Sequence, residues 1–197
     1  MGVLVHFSAL TRGENDEDEH ERLVLKELVI INPDLDCSQS WIFKPPFPYS
    51  QLTTALRLHN DYLSQHLYGL HWNDGDTLYS EVKSVITKYT QHSSVVYTFG
   101  KTRQFFLESI LGKSVINLEE ELKCPHFSQL AYPSRQCLHY LHRFSYFRCA
   151  VKEGWTYANY IKFYELGLSV LNQNKCVYIP SPITNNVDGP TDESDFK

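Results

Sequence analysis

The sequence predicts an α/β fold with a mixed five-stranded sheet, in which three antiparallel strands are followed by two parallel ones and helices flank the sheet. Two features of the apolar pattern predict it. The first three β-rich runs are joined by short connections, which favour an antiparallel meander, whereas each of the two later runs follows a helical pattern, which favours a right-handed parallel crossover. The 197 residues, 42% of them hydrophobic, suffice for one well-filled core.

The first three strands are predicted from runs rich in apolar and β-branched residues. They span residues 2–10, 23–32 and 40–43. A charged hairpin at residues 11–21 joins the first two, and we interpret its acidic run, residues 14–21, as a solvated tip. The third strand stops at the sequence KPPFP, because its prolines exclude both a helix interior and a central strand.

Two helices follow, predicted from apolar residues at helical spacing over residues 51–66 and 77–89. The loop between them contains the Asn, Asp and Gly residues that favour a turn. In this loop we expect Asp76 to cap the second helix and Trp72 to bury its ring. The alternative is a hydrolytic pair formed by His71 and the carboxylates of the loop.

The C-terminal half continues with a strand, a helix, a second strand, an irregular segment and a long helix. These elements are predicted at residues 94–99, 102–111, 114–118, 124–149 and 150–171. Residues 1–175 form the predicted domain, and residues 180–197 form a predicted disordered acidic tail. This order of elements is that of a ribonuclease-H-like sheet, in which an active site lies where the first and fourth strands end and the strand order reverses.

Composition and charge narrow the classes of function. Eighteen Lys and Arg against twenty-three Asp and Glu give a formal net charge of −5, which disfavours generic coating of a phosphate backbone. No stretch approaches the roughly 20 apolar residues of a membrane span, so we expect no membrane association. Five cysteines without a signal peptide favour a reducing compartment, and hence an intracellular protein of the nucleus or cytoplasm that is not secreted.

Several short motifs occur in a fixed order along the chain. They are KELVIIN, FKPP, HLYGLHWNDGDTLY, VYTFGKTRQFFLESILG, INLEEELKCP and a Cys-Ala pair that opens the last helix. Together they resemble a family of invertebrate and transposon-associated proteins with the fold of DEDD-type 3′–5′ exonucleases. A more distant similarity is to the Maelstrom domain, which has this fold and a Cys, His and Cys-Ala zinc pattern before its last helix. The resemblance covers about residues 1–170.

The resemblance also implies where catalytic carboxylates would lie. DEDD exonucleases use four of them to hold two Mg²⁺ ions around the scissile phosphate. In this chain the four positions are occupied by His6, Ser8, Arg103 and Glu153, and Arg148 stands where the general-base His is expected. One carboxylate in four does not hold two hard cations, so we predict no catalytic residues and no metal-dependent exonuclease activity.

A possible metal site lies in residues 124–149, which contain six Cys and His side chains. Structural zinc sites use four such ligands, and we predict a structural zinc because four protein ligands leave no open position. The preferred ligand set is Cys124, Cys137, His142 and Cys149. His139 is a competing ligand, and His126 is an alternative to Cys124. The other interpretation is that these are buried thiols and surface imidazoles, since paired Cys-x₂-Cys knuckles are missing; Cys37 and Cys176 are expected to be core thiols.

Cationic and aromatic side chains alternate around the same segment, which is the composition of a surface for single-stranded nucleic acid. The candidate binding residues are Arg135, Arg143, Arg148, Lys152, Tyr140 and Phe144. The alternative is that the rings pack a zinc-stapled subdomain whose rim is basic.

The sequence therefore predicts a catalytically inactive exonuclease-like domain that binds RNA or single-stranded nucleic acid, with a role in transposon or small-RNA silencing implied by the Maelstrom resemblance. The alternative is a protein-interaction scaffold that uses the pseudo-active-site groove or an aromatic patch. A weaker alternative is a metal-independent nuclease in which His6, His71 or His139 acts as acid and base.

Overall fold

A computed structural model describes residues 2–13, 22–130 and 147–165 of the chain. Its sheet has five strands in the order β3-β2-β1-β4-β5. The strands are β1 (Gly2–Thr11), β2 (Leu23–Asn32), β3 (Cys37–Ile42), β4 (Val95–Thr98) and β5 (Ile116–Asn117). The helices are α1 (Thr54–Leu63), α2 (Val82–Thr90), α3 (Lys101–Leu111), α4 (Leu118–Glu121) and α5 (Ala150–Glu165).

Strand pairing confirms the predicted mixed sheet. β2 is antiparallel to both β1 and β3, whereas β4 is parallel to both β1 and β5. The strand order reverses between β1 and β4. In open α/β sheets, ligands bind in a crevice outside the carboxyl ends of the strands at such a point. We refer to this region of the present sheet as the crevice. This is where the sequence predicts the site.

Alternation along β1 divides the core between the two faces of the sheet. Val3, Val5 and Phe7 face a cluster formed with α2 and α3. Leu4 packs on the opposite face with residues of α5. The same alternation directs His6 toward α5, and this explains why a polar side chain of the central strand meets the start of that helix.

A glycine in the first turns of α5 lets the helix approach the sheet closely. A Cβ atom on Gly154 would lie 2.8 Å from Cγ1 of Val29 and 3.0 Å from Cδ1 of Ile31. Any larger residue would push the helix away from β2. The neighbouring Glu153 is thereby brought onto the sheet.

The structure corrects two predictions about single residues. Asp76 does not cap a helix: the residue before α2 is Glu81, and the backbone N–H of Asp76 donates to the carbonyl of Ile42 instead. Cys37 is exposed rather than a core thiol, because β3 is an edge strand whose first four residues face solvent. Trp72 is buried as predicted, and its indole N–H donates to the Phe47 carbonyl at 3.1 Å.

The bounds of two helices differ from prediction because a π-helical or 3₁₀ turn replaces part of the predicted α-helix. The first helix is shorter than predicted and continues as a π-helical turn (Ser64–Tyr68) closed by Gly69 in the left-handed region. A 3₁₀ turn (Tyr79–Glu81) precedes α2.

The acidic hairpin tip, the tail at residues 180–197 and Cys176 lie outside the described residues, and the domain boundary at residue 175 stays a prediction. Among the residues described, no helix is long and apolar enough to cross a membrane.

Lys26 is buried in β2 and fixes the loop that precedes α2. Its Nζ donates to the carbonyl oxygens of Phe43 at 2.7 Å, Trp72 at 2.8 Å and Asp74 at 2.6 Å. Burial lowers the pKa of Lys26 to about 8, against the raising effect of the Asp74 carboxylate, so the group is mostly an ammonium at neutral pH. Three donors meet three acceptors, which leaves none of these polar groups unpaired.

We expect Lys26→Met to lower the free energy of unfolding by about 2–4 kcal/mol, because it leaves three carbonyl oxygens without their donor. Urea denaturation measures the change. Lys83→Met, on the exposed side of α2, is the control and should shift stability by less than about 0.5 kcal/mol. Equal midpoints for the two variants would contradict a structural role for Lys26.

Candidate functional site

The start of α5 is held by a buried carboxylate on β2. Glu27 Oε2 accepts from the backbone N–H of Ala150 at 2.9 Å and from Ser8 Oγ at 3.5 Å, while Oε1 accepts from Cys149 Sγ at 3.5 Å. A carboxylate is favourable at a helix N-terminus, where the first N–H groups have no partner within the helix. Glu27 therefore positions the first turn of α5 against the sheet.

In the first turn of α5, the carboxylate of Glu153 is hydrogen-bonded by the side chains of Arg148 and His6. Arg148 donates from Nε to Oε1 at 2.7 Å and from Nη2 to Oε2 at 3.1 Å. His6 Nε2 lies 3.1 Å from Oε2. Burial by itself would raise the pKa of Glu153, but the hydrogen bonds from His6 and Arg148 outweigh it and hold the pKa at about 2. The carboxylate is thus ionised, and both of its oxygens accept hydrogen bonds.

His6 is neutral in this arrangement. Its side chain is almost completely buried, and burial together with the charge of Arg103 lowers its pKa, although the hydrogen bond to Glu153 opposes this. Because Glu153 is ionised, we assign the ring proton to Nε2, which donates to the carboxylate. Nδ1 is then a buried acceptor that has no hydrogen-bond partner among the described residues.

Arg103, in the first turn of α3, spans the crevice between β1 and β4. Nε donates to the Phe7 carbonyl at 2.8 Å, and Nη1 lies 3.3 Å from the Phe99 carbonyl to which it donates. Phe7 belongs to β1 and Phe99 directly follows β4. The guanidinium is therefore fixed at the point where the strand order reverses.

Aromatic rings border the two arginines. The guanidinium carbon of Arg148 lies 4.9 Å from the ring centroid of Phe127, and the ring of the exposed His126 lies 4.2 Å from Phe127. Deeper in the crevice, Phe99 stacks on Tyr157 with centroids 4.4 Å apart. The crevice thus combines fixed cations with rings at its rim.

This side-chain set does not fit a pair of Mg²⁺ ions. Both oxygens of Glu153 are engaged by a guanidinium, and a second guanidinium, that of Arg103, shares the crevice. Hard cations require several open carboxylate oxygens and are repelled by fixed positive charge. Across the residues the structure describes, no three His, Cys, Asp or Glu side chains come together as a metal site.

Two of the predicted zinc ligands are described, and both are buried. Cys124 Sγ is 3.5 Å from the Pro125 carbonyl, and burial raises the pKa of its thiol to about 12. Cys149 donates to Glu27. The alternate ligand His126 is exposed, and its Nδ1 lies 2.9 Å from Ser128 Oγ. Cys137, His139 and His142 lie outside the described residues, so the zinc set stays a prediction.

Two of the predicted nucleic-acid-binding residues are described. Arg148 joins the site through Glu153, with its side chain 33% exposed. Lys152 lies in the first turn of α5, four residues further along the chain. The other four, which lie outside the described residues, are Arg135, Tyr140, Arg143 and Phe144.

Sequence reasoning missed Glu27 and Lys26. Both interrupt an otherwise apolar run of β2, and a charge inside a buried strand is a signal that such a residue has a fixed partner. The sequence does not predict which groups these two residues contact, because Ala150 is distant in sequence from Glu27, and Asp74 from Lys26.

No known family model matches this chain, and no curated protein matches it. Among solved structures, it is similar to the nuclease domain of 3'hExo, a DEDDh family member bound to rAMP, with a TM-score of 0.51 and 13% identity over 84% of this chain and 92% of that chain. This similarity shows that the fold is exonuclease-like and hence ribonuclease-H-like, as predicted.

Two further structures are similar at a TM-score of 0.48 and cover 84% of this chain and 82% of theirs. One is a full-length 3'-exonuclease at 15% identity. The other, at 13% identity, is a structure described as 3'-end specific recognition of histone mRNA stem-loop by 3'-exonuclease.

The depressed pKa of Glu153 makes stability depend on pH. The folded pKa of about 2 lies below the ordinary 4.5, so the stabilisation is present at neutral pH and is lost as the pH falls from about 5 toward 2. The loss amounts to about 3 kcal/mol. Urea denaturation across this range should show a shallower decline for Glu153→Gln than for the unchanged chain. Glu120→Gln, at an exposed position of α4, should retain the full decline; a full decline in Glu153→Gln as well would disprove the assignment.

Proposed function

We propose that this chain is a catalytically inactive exonuclease-like domain, spanning residues 1–175, that binds RNA or single-stranded nucleic acid, with the role in transposon or small-RNA silencing that its Maelstrom resemblance implies. The observation that carries the proposal is the occupation of both Glu153 oxygens by Arg148. The motif match gives this position to a metal-binding carboxylate, and the other three positions to His6, Ser8 and Arg103.

The charges in the crevice support inactivity. Two Mg²⁺ ions would supply activation of a water and stabilisation of the leaving oxygen, and they need carboxylates to hold them. Arg103 and Arg148 place fixed positive charge in the crevice, and Glu153 is already paired with Arg148. His6, almost fully buried with Nε2 on Glu153, is not open to a substrate, so the metal-independent nuclease has less support.

The rim of the crevice supports binding of a single strand. Arg148 lies against Phe127, and the exposed ring of His126 adjoins it. Cations next to stackable rings bind the phosphates and bases of unpaired strands. We propose that Arg135, Arg143, Tyr140 and Phe144 extend this surface together with Lys152.

A labelled single-stranded oligonucleotide tests the proposal. We expect no degradation in Mg²⁺ or Mn²⁺, and binding that weakens steeply with salt because phosphate contacts release counterions. Arg143→Ala should reduce affinity several-fold and flatten the salt slope by about one, whereas Lys83→Ala on α2, the opposite side of the sheet, should not.

Two outcomes would contradict it. Degradation that is abolished by EDTA and lost in Glu153→Ala would show an active metal-dependent nuclease. Absence of binding at low salt would favour the second candidate, a protein-interaction scaffold. That candidate has its own support in the exposed apolar side chains of α1, since Leu58 and Tyr62 lie one turn apart and are 67% and 57% exposed.

We also propose that Cys124, Cys137, His142 and Cys149 hold a structural zinc, with His139 and His126 as the alternates. Two buried thiols, Cys124 and Cys149 at the two ends of residues 124–149, support it. Elemental analysis of native protein should give about one zinc per chain. Cys137→Ser and Cys149→Ser should lose it, whereas the exposed Cys37→Ser should keep it. Zinc near zero in the unchanged protein refutes the site.

A further inference from the structure

The two crevice arginines are built to present open donors. A guanidinium has five N–H donors. Arg103 uses Nε and Nη1 on the Phe7 and Phe99 carbonyls, and Arg148 uses Nε and Nη2 on Glu153. Toward the described part of the chain, neither Nη2 of Arg103 nor Nη1 of Arg148 makes a hydrogen bond. The bonds already formed hold both planes in place, so little side-chain entropy is left to lose on binding a ligand.

Among the described residues, the crevice also holds more positive charge than Glu153 alone balances. Burial, and to a lesser extent the neighbouring Arg148, lower the pKa of Arg103, while Glu153 opposes this. Glu153 balances one of the two guanidinium charges, and His6 is neutral. The next carboxylate, Glu27, is directed at the N-terminus of α5. A partly buried cation that is paired only with neutral carbonyls is costly, and an anionic ligand would reduce that cost.

We propose that Arg103 and Arg148 hold a phosphate group of the bound strand directly, without a divalent cation. The inference rests on the proposed function and names the chemical group that the crevice recognises. Guanidinium N–H groups fit phosphate oxygens with directed, charge-assisted hydrogen bonds, which the point charge of a lysine does not reproduce. Binding is then insensitive to chelators.

The test uses oligonucleotides in which one phosphate at a time is replaced by a neutral methylphosphonate. Affinity is measured by fluorescence anisotropy with the full chain, in EDTA and in Mg²⁺. We expect equal affinities in the two buffers and a loss of roughly tenfold at one phosphate position only. Ends with a 3′-phosphate and with a 3′-hydroxyl are compared, so that a terminal phosphate is distinguished from an internal one.

Arg103→Gln shows whether that phosphate contacts the arginine. In this variant the unmodified strand should bind roughly tenfold more weakly, and the sensitive methylphosphonate should cause no further loss, because the interaction is already absent. Arg148→Lys is a second variant that keeps the charge but not the fork, and it should also weaken binding. Lys83→Ala should keep the full phosphate effect. Thermal melts confirm that each variant is folded.

The outcomes separate this inference from the proposed function. Tight binding of every methylphosphonate strand, or binding that requires Mg²⁺, would overturn direct phosphate recognition while leaving nucleic-acid binding in place. An equal methylphosphonate effect in Arg103→Gln and in the unchanged chain would do the same. Absence of binding to the unmodified strand at low salt would overturn both.

Discussion

The ion pair of Arg148 with Glu153, completed by His6, is the interaction on which the rest of the site depends. It joins three parts of the chain: the residue before Cys149, the first turn of α5 and the central strand β1. A buried carboxylate is tolerated only when it is paired and hydrogen-bonded, and removal of one partner leaves an uncompensated charge. Together with Glu27 and the close approach at Gly154, this contact holds α5 on the sheet, and Arg148 links it to the rim at Phe127.

The protein donors on Glu153 make the crevice a poor site for a metal ion. A carboxylate that accepts from Arg148 and His6 has few lone pairs left for a metal, and Arg103 adds a second cation at the strand ends. The exonuclease-like fold supplies a crevice at the strand-order reversal whatever side chains fill it. Under the proposed function, the fold sets where the strand lies, and the positive charge of the crevice favours an anionic group over a metal ion.

The sheet was predictable because strand patterning and proline positions are local signals. β1 and β2 form where their apolar runs predict strands, and β3 ends before the prolines. Helix starts were less predictable: Asp76 has the residue type of a cap, yet pairing with Ile42 takes its backbone into the sheet edge. The motif match found Glu153 and Arg103, but their partners could not be predicted. His6 and Glu153 are 147 residues apart in sequence, and only tertiary packing brings them together.

A β-bulge explains how two adjacent charges in one buried strand both find partners. Ser8 pairs with Glu27 and Ala9 pairs with Leu25, so Lys26 is skipped in the ladder. Strict alternation from Glu27, which faces α5, would aim Lys26 into the apolar cluster around α2 and α3. The bulge gives that place to Leu25 and turns Lys26 toward three carbonyls. Within the described residues, Lys26 donates to three carbonyl oxygens, and Glu27 accepts from the N–H of Ala150. A one-residue slip would leave each charge against groups of its own polarity, so electrostatics as well as packing fixes this register.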